Sequence, residues 1–207
     1  MKLCDFIELY RSVVRLMEAR DPDHYWRVPF DRLVIGACCA CPKHRDVCEV
    51  YPKVALTNRM YIANLGGMTP NPQAEWNVAQ AFVDRDADAI IAPIAAAGDF
   101  NPDTLPVVVR CHTGLVAIVQ EVTGRYEESF CSKYLSFHYP VVAPVLDQHA
   151  ERLACRLSEG TFEPDCKGRY ERHCRRVLFL AEALRSHDVA DPSIKVIDHV
   201  LYGTRDQ

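Results

Sequence analysis

Apolar residues recur at spacings of three and four along most of this chain, which is the period of an amphipathic α-helix. The first twenty residues show the period most clearly, on a face made of Phe6, Leu9, Tyr10, Val13, Val14 and Met17. Strict alternation of apolar and polar residues, which indicates a half-buried strand, does not occur in any convincing pair of segments. The pattern therefore predicts an all-α protein, and a length of 207 residues suits one domain over 1–207.

Start and stop signals predict where the helices lie. Prolines in first turns, capping side chains before apolar runs and glycines after them mark the ends. They place helices after the first at about 52–64, 73–83, 87–97, 104–122, 127–138, 149–157, 167–186 and 191–201, and they leave 24–46 irregular. Asp147 is expected to cap one of these helices and Gly124 to end another. The segment 104–122 is apolar over a wide surface, so we expect it at the centre of the core.

Charge and composition limit the function classes. The formal net charge of -4 counts against nucleic-acid binding unless one face is locally basic. The N-terminus lacks the apolar stretch of a signal peptide, and no apolar run approaches the ~18 residues that span a bilayer. We therefore expect a cytoplasmic protein without membrane association, whose ten cysteines are free thiols. The chain carries no P-loop, GxGxxG, GxSxG or HExxH motif, and we predict no cofactor.

Residues 129–150, SFCSKYLSFHYPVVAPVLDQHA, form the most informative stretch. A predicted helix carrying Lys133 ends before a proline, an extended link containing Pro144 follows, and Asp147 opens the next helix. This order resembles the core of the helix-hairpin-helix DNA glycosylases of the 8-oxoguanine type. On that resemblance Lys133 matches the catalytic lysine and Asp147 the catalytic aspartate. A histidine often follows the aspartate by two residues in that family, and His149 does so here.

The stretch is also similar to uncharacterised bacterial proteins that carry a Ser-Lys-Tyr…His-x-Pro…Pro-Ile-Tyr-Asp pattern and a terminal Ile-Asp-x-x-Leu-Trp motif. Residues 196–203, VIDHVLYG, are similar to the terminal motif. The resemblance implies a glycosylase-like core at 101–207, preceded by an N-terminal helical part at 1–100. It also implies that the protein binds DNA and excises a modified base, with Schiff-base lyase activity through the lysine.

Two departures from the family keep an alternative open. The family has a Gly-x-Gly hairpin before the lysine, and its backbone amides hold a DNA phosphate. The matching residues here, Ser129-Phe130-Cys131-Ser132, contain no glycine, and Leu146 stands as an extra residue before the aspartate. With the acidic balance, these departures favour a catalytically silent DNA- or protein-binding relative as the alternative function.

The chemistry expected of the two catalytic candidates follows from their positions. Lys133 falls at the edge of a stripe formed by Phe130, Tyr134 and Phe137, where partial desolvation favours the neutral amine that a nucleophile needs. Asp147 would stabilise a cationic sugar or assist proton transfer. Both residues also have ordinary interpretations. A lysine at a helix border extends its ammonium group into water, and an aspartate before a helix is a cap.

Four further residues are candidates for binding the substrate. Phe137 and His138 are close in sequence to the lysine and would hold a base that has left the DNA stack. Arg110 is a charge inside an otherwise apolar helix, so it is a candidate to bind a phosphate or the catalytic aspartate. His149 lies beside that aspartate. The alternatives are a structural ion pair for Arg110 and a C-terminal helix cap for His138.

A cysteine-rich string and a basic stretch can each be interpreted in a functional or in a structural way. The string CCACPKHRDVC, with Cys38, Cys39, Cys41, His44 and Cys48, has metal-ligand spacing, which makes a metal-binding protein a further alternative. Its structural interpretation is a set of small buried thiols, and we predict no metal. The basic stretch 167–176 fits either phosphate contact or a solvated face paired with acidic side chains.

Overall fold

The computed structural model describes residues 1–19, 27–65, 67, 71–159, 165–166 and 168–203, and the statements below concern these residues. They form helices joined by loops, with no strand, which confirms the all-α prediction. The helices are α1 (Leu3–Ala19), α2 (Arg27–Ala40), α3 (Val47–Met60), α4 (Pro72–Asp84), α5 (Ala87–Ala95), α6 (Leu105–Thr123), α7 (Glu128–His138), α8 (Gln148–Ser158), α9 (Arg169–Arg185) and α10 (Ile194–Gly203).

Local capping explains several of these boundaries. Asn71 accepts a hydrogen bond from Ala74 N at the start of α4, where Pro72 occupies the first turn. Asp147 accepts one from His149 N at the start of α8, as predicted. Gly124 ends α6 with φ 69°, a left-handed conformation that glycine adopts without steric cost. Short-range chemistry therefore sets these helix ends.

Residues of α1 and of every helix from α3 to α10 form one hydrophobic core, which is the arrangement of a single domain. Helix α6 lies at its centre and packs against α4, α5, α7 and α9. Helix α7 packs against α2, α3 and α6. Val34 and Cys38 of α2 form a smaller buried cluster with Phe137 of α7. The segment singled out from the sequence therefore lies inside the fold.

The prediction that 24–46 is irregular was wrong for 27–40, which form α2. Val34 and Cys38 are one helical turn apart, and both are buried against α7, so tertiary packing selects the helix there. Helix α3 also begins earlier than predicted. Asp46 accepts a hydrogen bond from Cys48 N and starts α3 at Val47, which leaves Pro52 inside the helix. Residues 20–26 lie outside the described part of the chain, as do Gly66, Gly160 and Lys167.

Helix α6 differs from the expectation that no segment is long and apolar enough to span a membrane. Its 19 residues are long and apolar enough by length and composition alone. The buried core helix of a globular protein passes the same test, so this is weak evidence for a membrane span. Val108, Leu115 and Val119 are fully buried against other helices, as expected for the central core element.

Candidate active site around Lys133

Helix α7 is buried along most of its length. Every residue from 130 to 137 is buried, because helices α2, α3 and α6 surround this helix. Lys133 retains 1% of its exposure, so it lies inside the protein and not at a border with water. A lysine buried to this degree needs partners for its ammonium group, since an isolated charge in a protein interior is costly.

The partners of Lys133 include Tyr61 and Asp147. Lys133 Nζ donates a hydrogen bond of 3.1 Å to the backbone carbonyl of Tyr61, at the end of α3. The same nitrogen lies 3.5 Å from Asp147 Oδ2. The other carboxylate oxygen of Asp147 accepts the 2.9 Å capping bond from His149 N. The fold thus brings the two candidate catalytic residues together, with the carboxylate held between a helix N-terminus and an ammonium group.

The link between α7 and α8 is held by buried side chains at three successive residues. Each bond involves one backbone group of the link and one side chain from a different helix. Tyr170 OH donates to Pro144 O at 2.9 Å, Val145 N donates to Asp198 Oδ2 at 3.1 Å, and Leu146 N donates to Ser132 Oγ at 2.9 Å. These bonds come from α9, α10 and α7, so Asp147 follows a segment of well-defined position.

A small cavity of about 20 Å³ borders this link. It is lined by Asp31, Tyr61, Val145, Lys195, Asp198, His199 and Tyr202. Tyr61 and Val145 connect the cavity to the Lys133–Asp147 pair, since both also belong to the surroundings of that pair. Within the described residues, the Tyr61 hydroxyl, Asp31 Oδ1 and Asp198 Oδ1 are buried and make no hydrogen bond.

The two carboxyl groups of the cavity have pKa values shifted in opposite directions. Burial raises the pKa of Asp31, but Lys195 and His199 outweigh burial, and the pKa of Asp31 is lowered overall. His199 Nε2 lies 2.6 Å and Lys195 Nζ 3.6 Å from Asp31 Oδ2. Burial raises the pKa of Asp198 to about 8. The surroundings therefore favour the ionised form of Asp31 and the neutral form of Asp198.

The four predicted substrate-binding residues occupy different surroundings. Phe137 is buried next to the cavity, where its ring lies 4.7 Å from the ring of Tyr61 and 4.5 Å from Lys195 Nζ. His149 is half-buried in the first turn of α8. Arg110 is exposed on α6 and makes no described contact with Asp147. Phe137 and His149 therefore lie around the candidate site, whereas Arg110 is not part of it.

His138 belongs to a separate buried cluster. Its ring centroid lies 5.0 Å from that of His44 and 4.9 Å from that of Tyr134. His44 bridges Asp88 and Tyr134, with its Nδ1 2.9 Å from Asp88 Oδ1 and its Nε2 2.7 Å from Tyr134 OH. Burial holds the pKa of His138 well below its usual range. No described contact connects this cluster to Asp147.

The segment between α2 and α3, which carries part of the cysteine-rich string, is held by a buried lysine. Lys53 is fully buried, and its Nζ donates to the carbonyls of Cys41 and Lys43 at 2.7 and 3.0 Å. Cys38 is buried, Cys41 is half-buried, and Cys39 and Cys48 are exposed, so the interpretation as buried thiols holds for Cys38 and not for the whole cluster. In the described parts of the chain, no group of three or more His, Cys, Asp or Glu side chains is arranged to hold a metal ion.

Arginines of α9 are engaged with acidic side chains. Arg169 donates to Glu151 through two of its nitrogens, at 2.9 and 2.7 Å. Arg175 donates to Glu171, one helical turn earlier, at 2.8 Å. These pairs match the structural interpretation of the basic stretch, since charges that are already paired are less available to a phosphate.

Sequence reasoning missed Asp31, Tyr61 and Lys195, and it noted Asp198 and His199 only as part of a motif. The motif VIDHVLYG was the available signal for Asp198 and His199, because it includes both. Asp31 had no such signal, because the helix that carries it was not predicted. Tyr61 contributes a backbone carbonyl, and any residue type supplies one.

No family model matches the chain, and no curated protein or solved structure matches it either. The link to DNA glycosylases therefore stays a hypothesis. It depends on the resemblance of residues 129–150 and on the geometry described above.

Proposed function

We propose that the protein is a DNA glycosylase-like enzyme that excises a modified base, with Lys133 as the amine nucleophile and Asp147 as its assisting carboxylate. The observation that carries this proposal is the buried pair itself, in which Lys133 Nζ lies 3.5 Å from Asp147 Oδ2. A charged lysine is seldom fully buried unless it is paired, so a buried lysine next to a carboxylate is a candidate functional group.

The reaction would proceed in two stages. The glycosidic bond breaks with its electron pair moving to the departing base, and Asp147 stabilises the positive charge that develops on the sugar. Lys133 attacks as the neutral amine, after its ammonium group has given up a proton to solvent, and the new bond to C1′ releases a second proton to the departing base or to solvent. The ring oxygen then leaves C1′ with its bonding electron pair and takes up a proton as a hydroxyl group, while the nitrogen lone pair forms the C=N bond of a protonated Schiff base.

Two events must precede this chemistry. The target base must leave the helix stack, which costs a few kcal/mol. The sugar must also reach an amine that is 1% exposed and bonded to the Tyr61 carbonyl. Attack therefore requires the hydrogen bond between Lys133 and Tyr61 to break, and DNA binding would have to displace the end of α3.

Borohydride trapping tests the nucleophile directly, because hydride reduces the Schiff base to a stable amine. The wild type and Lys133→Ala are incubated with duplex and single-stranded DNA carrying abasic sites or a panel of modified bases. We expect a covalent adduct for the wild type and none for Lys133→Ala. Lys195→Ala is the matched control, since Lys195 lines the adjoining cavity and its loss should preserve the adduct. An adduct that needs Lys195 and not Lys133 would contradict the assignment.

Asp147→Asn separates the two stages. The carboxylate is expected to act while the base departs, so this substitution should slow trapping on DNA with a modified base. Trapping on DNA with a preformed abasic site should change much less, because the base is already absent. The expected loss in the first case is on the order of 100-fold, the scale of one lost transition-state contact. Equal losses on both substrates would contradict this role of Asp147.

A catalytically silent binding module is the second candidate. The burial of Lys133 favours this candidate, because a substrate cannot reach a buried amine directly. The absence of glycine at Ser129–Ser132 and the acidic partners of the α9 arginines also favour it, since both reduce the groups available to bind a phosphate. Under this alternative no DNA substrate yields an adduct or releases a base. A gel-shift titration at low salt then decides whether the fold binds DNA at all, since phosphate contacts weaken steeply as salt rises.

A further inference from the structure

Asp198 connects the cavity to the Lys133–Asp147 pair. It lies on α10 and retains 6% exposure, and its Oδ2 accepts the hydrogen bond from Val145 N, a residue 53 positions earlier in the chain. Its other oxygen, Oδ1, is buried at the cavity and makes no hydrogen bond within the described residues. The carboxyl group of Asp198 therefore lines the cavity with one oxygen and binds the α7–α8 link, just before Asp147, with the other.

We propose that Asp198 is a positioning residue, which holds the α7–α8 link through Val145 and thereby keeps Asp147 beside Lys133. The importance of Asp198 for catalysis rests on the proposed function. The contact by which Asp198 holds the α7–α8 link is a property of the fold, and it can be measured without any substrate.

Val145 stands two residues before Asp147, and its N–H is buried, so loss of its acceptor leaves an unsatisfied donor inside the protein. The link relieves that cost by moving toward water, and Asp147 moves with it. Ser132 and Tyr170 hold the neighbouring residues of the link, so we expect a local displacement and not general unfolding. A misplacement of about 1 Å at a reacting group can lower a rate by on the order of 100-fold.

The ionisable groups around Asp198 give this positioning a pH dependence. The same cavity is lined by Lys195, His199 and Tyr202 of α10, by Asp31 of α2 and by Tyr61 at the end of α3. Tyr170 and Cys174 of α9 lie close enough to interact electrostatically with Asp198. Burial, reinforced by Asp31 and opposed by Lys195 and the Val145 amide, raises the pKa of Asp198 to about 8. Above that pH an ionised carboxylate becomes a stronger acceptor for Val145 N and brings a second negative charge to the cavity.

Amide hydrogen exchange and NMR titration of the full chain test the proposal. Asp198→Ala removes the acceptor, Asp198→Asn keeps an acceptor oxygen but cannot titrate, and Val196→Ala removes a buried apolar contact on the same helix. We expect Asp198→Ala to raise the exchange rates of the Val145 and Leu146 amides at least 10-fold above those of Val196→Ala. Asp198→Asn should retain protection near that of the wild type. The Val145 amide shift should change with a midpoint near pH 8 in the wild type and not in Asp198→Asn.

The outcomes separate this proposal from the glycosylase proposal. Equal exchange at Val145 and Leu146 in Asp198→Ala and Val196→Ala would overturn the positioning role. If Asp198→Ala does not fold, the titration decides instead. A Val145 amide shift that keeps its midpoint near pH 8 in Asp198→Asn would show that Val145 does not respond to Asp198, and this result would overturn the positioning role. If the wild type forms a trapped adduct, Asp198→Ala should weaken trapping and Asp198→Asn should largely rescue it. If the wild type forms none, the glycosylase proposal fails, and the exchange and titration results still decide the role of Asp198.

Discussion

At the scale of single residues, Ile62 is the most unusual position next to the site. It directly follows Tyr61, and it combines a φ of 46° with 70% exposure. A β-branched residue in the left-handed region is strained, because its Cβ crowds the backbone. The strain therefore lies beside the carbonyl that holds Lys133. Strain of this kind is commonly found at functional sites and is maintained by the surrounding structure.

We predict that Ile62→Gly raises the free energy of unfolding by up to about 1 kcal/mol, because relief of about 1–2 kcal/mol of backbone strain exceeds the entropic cost of glycine, about 0.5–1 kcal/mol. Urea unfolding at pH 7 measures the change. Val141→Gly is the control, since Val141 is also β-branched and 60% exposed but does not have a positive φ. The control should lose about 0.5–1 kcal/mol through chain entropy. If both variants lose stability equally, the backbone at Ile62 is not strained.

At the scale of elements, the contact between α5 and α6 depends on a glycine. A methyl group placed on Gly114 of α6 would lie 2.7 Å from Ile90 Cγ2 of α5, which is closer than carbon atoms approach without displacement. Gly36 of α2 is also inside a helix, but nothing lies within 4 Å of the place its methyl group would occupy. The two glycines therefore differ in packing and not in secondary structure.

We predict opposite effects for alanine at these two glycines. Gly114→Ala should lower the free energy of unfolding by about 1–3 kcal/mol through overpacking. Gly36→Ala should raise it by about 0.5–1 kcal/mol, because alanine is the better helix former. Calorimetry of both variants provides the comparison. The double variant Gly114→Ala with Ile90→Ala should recover part of the loss, and an additive result would show that the two residues do not clash.

At the scale of the whole molecule, buried histidines connect stability to pH. Burial lowers the pKa of His112 and of His173 to about 4, and it also lowers the pKa of His44 and His138. Unfolded histidine has a pKa near 6.5, so the unfolded chain takes up these protons first as the pH falls. The contribution of these histidines to stability is therefore complete above about pH 6.5 and is lost progressively toward pH 4.

We predict that the urea midpoint of His112→Phe has a less positive slope against pH between pH 6.5 and pH 4 than that of the wild type, because the variant no longer loses the contribution of this histidine on acidification. A histidine whose pKa falls from about 6.5 to about 4 contributes on the order of 3 kcal/mol to the change. Phenylalanine keeps a ring against Tyr170, on which His112 stacks, although it loses the bond to Glu128 O. The control His187→Gln lies on the surface and should leave the slope unchanged. An unaltered slope in His112→Phe would exclude this histidine as a cause.

Local sequence chemistry was sufficient for much of the helical framework. The helices from α4 onward follow apolar periodicity and short-range caps, and both are interactions between residues close in the chain. Asp147 caps α8 and Gly124 ends α6 as predicted. Helix α2 was missed because its helical form depends on packing against α7, a segment about 100 positions later in the chain.

The amino-acid sequence by itself therefore determined the helical class, the helix ends set by caps, and the choice of Lys133 and Asp147 as a candidate pair. The tertiary structure decided that the pair is buried, that Tyr61 holds the lysine, and that Asp31 and α10 form a cavity beside them. It also decided that Arg110 lies on the surface. The reason is physical. Caps and periodicity are local interactions, whereas burial and contacts between α2 and α10 arise only when distant helices pack together.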